Sequence, residues 1–312
     1  MKHLFLMDPI EGINVDLDST FALMLEAQRR DHEVLYATVD QLYGLAGETR
    51  ADARPATLVA KQGEHAVLGP PEDVSLDDMD VVWMRKDPPF DMAYIFTTYL
   101  LDQADCLVVN APEGLRSFNE KAWTLGFPDL VPPSLVTGSQ DRLRAMMDEV
   151  GAIVVKPLDG NGGEGVFIVR PDDPNQGVIL ETSTRHGSRT ILAQSYLPKA
   201  AEGDKRIILV DGEPVGACLR VPSGVDHRGN IHVGARVEAC EMTARDREIC
   251  AAIAPPLRDA GQVFVGIDVI GEFLTEVNVT SPTCIHEINA FDGIAIEELI
   301  LDAVDRRLAA RP

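Results

Sequence analysis

Two stretches of the chain carry residue types in spacings that could do chemistry. In the first, Ile153-Val154-Val155-Lys156 ends an apolar run on a lysine, and Gly160, Gly162, Gly163 and Gly165 follow within six residues before Val166-Phe167 resumes the apolar pattern. Glycines let backbone N–H groups turn toward a ligand without obstruction by Cβ, so such a loop can cradle phosphate oxygens while the lysine supplies charge. Glycine richness alone fits a flexible hairpin equally well, and the lysine closing an apolar strand tips the reading toward phosphate. The order is neither the Gly-Lys-Ser/Thr of a Walker loop nor a GxGxxG that opens a helix. In the second stretch, Phe264 to Asp268 and Leu274 to Thr280 read as an antiparallel pair around Gly271. Glu276 and Asn278 lie two apart and so project from one strand face, where Asp268 can meet them across the hairpin. Three oxygen donors on one face suit a hard cation such as magnesium. An acidic strand face is more often the wet side of a sheet, but these strands are otherwise apolar on both faces, where an unpaired carboxylate is costly.

The elements that must position these residues follow from periodicity. In the first third, apolar runs at Leu4 to Met7, Val34 to Val39, Val81 to Met84 and Leu107 to Asn110 alternate with a helical pattern from Phe21 to Arg30, the order expected of an open, mostly parallel α/β sheet. Asp18 or Ser19 is placed to cap that helix, and Asp77-Asp78-Met79-Asp80 reads as loop. From residue 119 the texture changes. A helix over Asn119 to Phe127 leads through Pro128, Pro132 and Pro133 into a small α+β lobe: helix Gln140 to Val150, then strands Ala152 to Lys156, Val166 to Arg170 and Thr190 to Gln194. Beyond Lys205 come strands Arg206 to Val210 and Pro214 to Leu219 around Asp211-Gly212, helix Thr243 to Ala260, strands Val263 to Ile270 and Phe273 to Asn278, and a final helix Ile294 to Leu308. The expected division is 1–117, 118–198 and 199–312.

Composition limits the classes of function. A chain of 312 residues with 45% hydrophobic content can bury a substantial core. The formal charge of −22 disfavours nonspecific binding to nucleic acid or to anionic membranes. No opening signal peptide and no apolar run of spanning length is present, which points to a soluble, cytoplasmic protein. Five scattered cysteines without a CxxC pair argue against a disulfide framework or a zinc site. Only seven of the 28 basic residues are lysines, Lys2, Lys61, Lys86, Lys121, Lys156, Lys199 and Lys205, so each one inside a motif carries weight.

Lys156 with its glycine loop, preceded by Lys121 in Asn119-Glu120-Lys121, resembles the ATP-grasp superfamily, in which two lysines on neighbouring elements hold nucleotide phosphates. Ala193-Gln194-Ser195-Tyr196-Leu197 resembles the segment that reads the adenine edge, which implies roles for Gln194, Tyr196 and Leu197. Gly203-Asp204-Lys205-Arg206 resembles the stretch near ribose and phosphates. Met7 to Ile10, Met84 to Asp91 and Asn278 to Cys284 are similar to stretches of bacterial glutathione synthetases, a likeness that covers essentially the whole chain. It implies an N-terminal substrate domain followed by a two-lobed ATP-grasp domain, with ATP and Mg2+ or Mn2+ used to join γ-glutamylcysteine to glycine through an acyl phosphate. It places metal on Asp268, Glu276 and Asn278, phosphoryl stabilisation on Arg206 and Arg220, and substrate contacts on Arg85, Asp87, Arg228, Asn230, Thr280 and Ser281. In physical terms Arg85 follows a strand at the carboxyl edge of the sheet, where its fork could hold a carboxylate. The likeness further implies a homo-oligomer. A ligase with another amine acceptor shares every nucleotide residue, and a nucleotide-binding regulator without turnover is a further reading that the retained lysines and metal set disfavour. His286 stands where an arginine is expected.

Overall fold

The computed structural model of the protein describes residues 1–160, 162–222 and 236–311. Its first part comprises strands β1 (Lys2–Leu6), β2 (Glu33–Ala37), β3 (Leu42–Leu45), β4 (Glu48–Leu58), β5 (Ala66–Leu68), β6 (Glu72–Ser75), β7 (Val81–Met84) and β8 (Leu107–Val109), with helices α1 (Ser19–Arg29), α2 (Met92–Leu101) and α3 (Pro112–Ser117). A second group contains β9 (Ser134–Thr137), β10 (Ile153–Pro157), β11 (Phe167–Val169) and β12 (Ile191–Ser195), with α4 (Gln140–Val150) and α5 (Gln176–Ser183). The last contains β13 (Asp204–Val210), β14 (Glu213–Val221), β15 (Arg236–Ala239), β16 (Phe264–Ile270) and β17 (Phe273–Asn278), with α6 (Ala244–Asp259), α7 (Ile285–Asp292) and α8 (Ile296–Ala309).

Strands β2, β1, β7 and β8 lie parallel in that order, and the antiparallel β4, with β3, β5 and β6 on it, extends the sheet on the β2 side. Strands β1 and β7 are buried on both faces, as their unbroken apolar runs require. Helix α1 starts where the Asp18 carboxylate accepts the Phe21 N–H at 2.7 Å, one of the two caps the sequence offered. The antiparallel additions were not foreseen, because β4 carries Arg50, Asp52, Arg54 and Pro55 and reads as polar loop.

The second sheet, β11-β10-β12-β9, is antiparallel and has its own core of Leu143, Met146, Met147, Ile153, Val155, Val169, Leu180, Ile191 and Ala193. The third, β15-β14-β13-β16-β17, shares a core with the first: Ile207, Leu209, Ile267, Val269 and Val277 cluster with Leu4, Leu6, Val82 and Met84. Asn110 fastens the two, its side chain donating to the Phe264 and Val279 carbonyls at 2.7 Å each and accepting from the N–H groups of Val263 and Phe264. All of its polar capacity is used, as a buried amide demands.

The helix expected over Asn119 to Phe127 is absent, and only a short 3-10 turn, Trp123–Gly126, forms there. The Asn119 side-chain oxygen takes the N–H groups of Lys121 and Ala122, a local bond that competes with helix formation. No helix among the described residues is long and apolar enough to cross a membrane, and all five cysteines are free thiols.

Candidate active site

The second and third sheets face each other across a cavity of about 730 Å³. Strand alternation decides what lines it. On β10, Ile153 and Val155 enter the lobe core while Val154 and Lys156 face the cavity; Ile168 and Arg170 face it from β11 and its end. Gln194, Tyr196 and Leu197 line it from β12 and the chain just beyond, with the Arg170 guanidinium 5.7 Å from the Tyr196 ring centre. The glycine loop contributes Gly160, Gly162 and Gly163. Gly165 lies outside the lining; its φ of +68° and a distance of 2.9 Å between a built Cβ and Pro157 Cγ explain why glycine stands there.

The floor is a network of cross-strand ion pairs on one face of the third sheet. Asp204 pairs with Arg220 in register between β13 and β14, and Arg206 with Asp268 between β13 and β16. Arg206 meets Asp268 at 2.6 and 3.0 Å, Arg220 meets Asp204 at 2.7 and 2.9 Å, and Arg220 also reaches Asp268 at 3.0 Å. Gly266 makes room: a Cβ there would stand 3.2 Å from the Arg206 side chain. Burial pushes the Asp268 carboxyl up, but Arg206 and Arg220 overcome it and hold it well below the ordinary carboxylate range. Asp204 shares Arg220 with that stronger partner, and burial raises it to about 6.

Asp268 stands directly opposite Glu276 in the β16–β17 hairpin, and Gly266 opposite Asn278, so Asp268, Glu276 and Asn278 do share one face. Asn278 Nδ2 donates to Asp268 at 3.3 Å, and Lys156 Nζ lies 3.4 Å from Glu276. Burial acts to raise the Glu276 carboxyl, and Lys121 with Lys156 lower it further than burial raises it. Among the described residues no cluster of three or more His, Cys, Asp or Glu side chains is arranged for a metal. This set has two carboxylates and an amide oxygen instead, all hard donors on the cavity wall, and their charge is already balanced by lysine and arginine. It fits a magnesium-type ion arriving with an anionic ligand.

Lys121 donates to the Gly160 carbonyl at 2.7 Å, tying the glycine loop to the segment after the first sheet. Lys205 is turned to the opposite face of β13, where it meets Asp246 and the Glu241 carbonyl, so it does not line the cavity as expected; it sits one residue out of phase with Asp204 and Arg206. Arg85 is also elsewhere. It is 4% exposed and donates to Thr20 at 3.0 Å and to the Thr280 and Pro282 carbonyls at 3.5 and 3.1 Å, over the Phe264 ring. Burial lowers its pKa to about 10. Its fork braces a junction and is not open to a ligand. Asp87, Thr280 and Ser281 lie outside the lining as well. Arg228 and Asn230 fall outside the described residues. His286 Nε2 donates to the Asp18 carbonyl at 3.1 Å, joining α7 to the cap of α1.

Sequence reasoning missed Glu120 and Arg170 in the lining. Arg170 was detectable from its even spacing with Ile168, and Glu120 only as the neighbour of Lys121. Among the described residues the lining carries five cations, Lys121, Lys156, Arg170, Arg206 and Arg220, and five carboxylates, Glu120, Glu164, Asp204, Asp268 and Glu276. The cavity is locally balanced in a chain of charge −22, which lets a polyanion approach together with a cation.

The chain matches the families described as prokaryotic glutathione synthetase, N-terminal domain, over residues 1–116 and prokaryotic glutathione synthetase, ATP-grasp domain, over residues 120–293. It is 48% identical to the glutathione synthetase of Pseudomonas syringae pv. tomato over 309 residues, covering 98% of this chain and 97% of that one. It is 47% identical to that of Escherichia coli K12 over 312 residues, covering 99% of each. Among solved structures, a D-cycloserine synthetase superposes with a TM-score of 0.66 at 16% identity, covering 98% of this chain and 99% of that one. A macrocyclase bound to its precursor peptide, from Microcystis aeruginosa, superposes at 0.65 and 13%, covering 98% and 100%. These two share the fold. The family descriptions cover most of the chain and the relatives nearly all of it: the protein belongs to the prokaryotic glutathione synthetases.

Proposed function

We propose that the cavity between the second and third sheets holds ATP, with Lys121, Lys156 and the amides of Gly160, Gly162 and Gly163 on its phosphates and Gln194, Tyr196 and Leu197 around its base. The chain is an ATP-dependent carboxylate–amine ligase that makes glutathione; the residue roles are the proposed part. One observation carries them: two lysines, a glycine loop and the Arg206–Asp268–Arg220–Asp204 network converge on one cavity from separate elements.

The γ-glutamylcysteine carboxylate takes the terminal phosphoryl group, and the glycine amine then displaces phosphate from the acyl phosphate. No protein nucleophile is needed; catalysis is positioning and charge neutralisation. Asp268, Glu276 and Asn278 would hold magnesium or manganese, which supplies charge neutralisation on the phosphates when bound. Arg206 and Arg220 sit beside that set, placed to move from Asp268 onto the transferring phosphoryl group. Arg85 supports the substrate end by fixing the Thr280 and Pro282 carbonyls, with Asp87, Ser281, Arg228 and Asn230 assigned to the dipeptide by resemblance. Division at 117 and 198 is supported by the separate core of the second sheet. A cytoplasmic homo-oligomer is supported by the five free thiols and by the exposed, uncharged stripe Met92, Phe96 and Tyr99 on α2. The test is ADP release with γ-glutamylcysteine and glycine together, compared with each omitted. Full ADP release without the dipeptide would overturn the assignment.

A further inference from the structure

The reaction needs a proton acceptor, because glycine arrives as an ammonium and attacks only as an amine. Among the described residues no histidine or cysteine lines the cavity, and Lys121 is bonded to the Gly160 carbonyl while Lys156 faces Glu276. Of the five lining carboxylates, Asp204, Asp268 and Glu276 each have a cationic partner, and Glu164 is exposed on the glycine loop. Glu120 alone is both turned inward and free of an ion pair among the described residues.

Its position is fixed. The Glu120 carbonyl accepts the Val277 N–H at 2.8 Å, pinning the segment beside β17, and Oε1 accepts the Thr280 hydroxyl at 2.8 Å. Glu120 lines the cavity, and its other oxygen has no hydrogen-bond partner among the described residues. The charges around it are Lys121, Glu276 and Arg206 on the nucleotide side, while on the other side it is the charge acting most strongly on Tyr94. Tyr94 is 3% exposed and its hydroxyl is buried with no hydrogen-bond partner, so the space beside Glu120 holds a polar group awaiting one. Glu120 therefore stands where the phosphate end of the cavity meets the substrate junction of Arg85, Thr280 and Tyr94. Burial raises its carboxyl from its ordinary value, the direction a base needs in order to keep a proton.

We propose that Glu120 is the general base that deprotonates the glycine ammonium in the second half-reaction. This rests on the nucleotide and substrate placement given above. Glu120 takes one ammonium proton; the freed lone pair forms the C–N bond to the acyl carbon; the C–O bond to phosphate breaks with its electrons on oxygen; and the second nitrogen proton leaves with phosphate. One carboxylate, one acyl phosphate and one ammonium give one carboxylic acid, one amide and one hydrogen phosphate, with charge conserved.

Hydroxylamine separates the steps, since it is largely neutral near pH 7 and captures an acyl phosphate without a base. Wild-type protein must first release ADP with γ-glutamylcysteine and glycine; if it does not, the functional reading fails and not this proposal. In Glu120→Gln, which keeps an oxygen for Thr280, glycine ligation should fall by about 10²–10⁴-fold. Hydroxamate formation should stay within about threefold of wild type. The ratio of the two is read on one preparation, so a reduced folded fraction cancels, and Glu120→Asp should give an intermediate ratio. Equal loss with both nucleophiles, or an unchanged ratio, overturns the proposal. So does Thr280→Val reproducing the selective loss of glycine, because Glu120 would then act only by positioning that hydroxyl.

Discussion

The parallel sheet and the five-stranded sheet bury polar groups in opposite ways. In β1 and β7 the residues from His3 to Leu6 and from Val81 to Met84 are all fully buried, and His3 is the one titratable group among them. Its Nδ1 accepts from the Trp83 indole at 3.0 Å, its Nε2 is unpartnered, and burial, followed by nearby His32, lowers its pKa to about 3. It is kept neutral. In the five-stranded sheet, Arg206, Arg220 and Asp268 are just as enclosed and fully charged, each satisfied by another. A neutralised group has nothing to offer a ligand. A paired charge can exchange its partner for a phosphate or a cation at little electrostatic loss, which is what a site for a polyanion requires.

The sharpest way to break this contrast is Asp268→Ala. It leaves Arg206 and Arg220 buried around a missing carboxylate, and removing one partner of a buried pair costs about 3–5 kcal/mol. Urea unfolding should show that loss and ligation should disappear. A loss within about 0.5 kcal/mol would mean that the network is solvated and contributes nothing to folding.

On the scaffold side the effect is smaller and depends on pH. The folded His3 pKa lies below its unfolded value of 6.5, so its contribution is fully present above pH 6.5 and is lost as pH falls toward about 3. Between pH 6.5 and roughly pH 5 this amounts to about 2 kcal/mol. His3→Asn, whose carbonyl can replace Nδ1 as acceptor for Trp83, should flatten the unfolding free energy over that interval by this amount relative to wild type. Equal slopes would show that His3 is protonated in the folded protein.

A third comparison lies within a single strand. Lys205 and Arg206 are neighbours on β13, yet they point to opposite faces. Lys205→Met should leave the dissociation constant for an ATP analogue within about twofold of wild type, because a charge beyond the sheet is screened from the nucleotide. Lys156→Met should weaken it at least tenfold, or about 1.4 kcal/mol. Calorimetric titration of both variants checks this, and comparable losses would place Lys205 back at the nucleotide.

That neighbouring pair also shows how much was legible. Period-two strands such as Phe273 to Asn278 were readable because alternation is local, whereas the Asp268–Glu276 meeting depends on a register shift between Asp268 and Val269, because counting across the Gly271-Glu272 turn alone sets Asp268 opposite Thr275. The phase of Lys205 was readable by the same rule, but family likeness to a run of four residues obscured it. Other features needed tertiary contacts. Asn110 works through carbonyls 154 and 169 residues away, and Arg85 lies at the expected strand end but turns into the junction because Thr20, Thr280 and Pro282 offer acceptors there. Glu120 is adjacent in sequence to a residue that was recognised, but its lack of an ion pair among the described residues is a property of the folded cavity alone.

The smallest effect belongs to the opposite wall. Arg170 is exposed and lies 5.7 Å from the Tyr196 ring centre, whereas Arg206 is enclosed and bidentate on Asp268. An exposed cation over an aromatic ring is worth about 0.5–1 kcal/mol. Arg170→Leu should therefore raise the dissociation constant for an ATP analogue by about two- to fivefold. Solvent reaches Arg170, so salt should shrink the difference, since exposed charges are screened over about 10 Å at 0.1 M and less at higher concentration. The Asp268→Ala defect should persist in the same salt series, because Arg206, left without its partner, is shielded from mobile ions. Titrating both variants from low to high salt compares the two walls directly. A tenfold or larger loss in Arg170→Leu that salt does not reduce would show that the nucleotide encloses Arg170 on binding, giving the glycine-loop wall the same buried electrostatics as the floor.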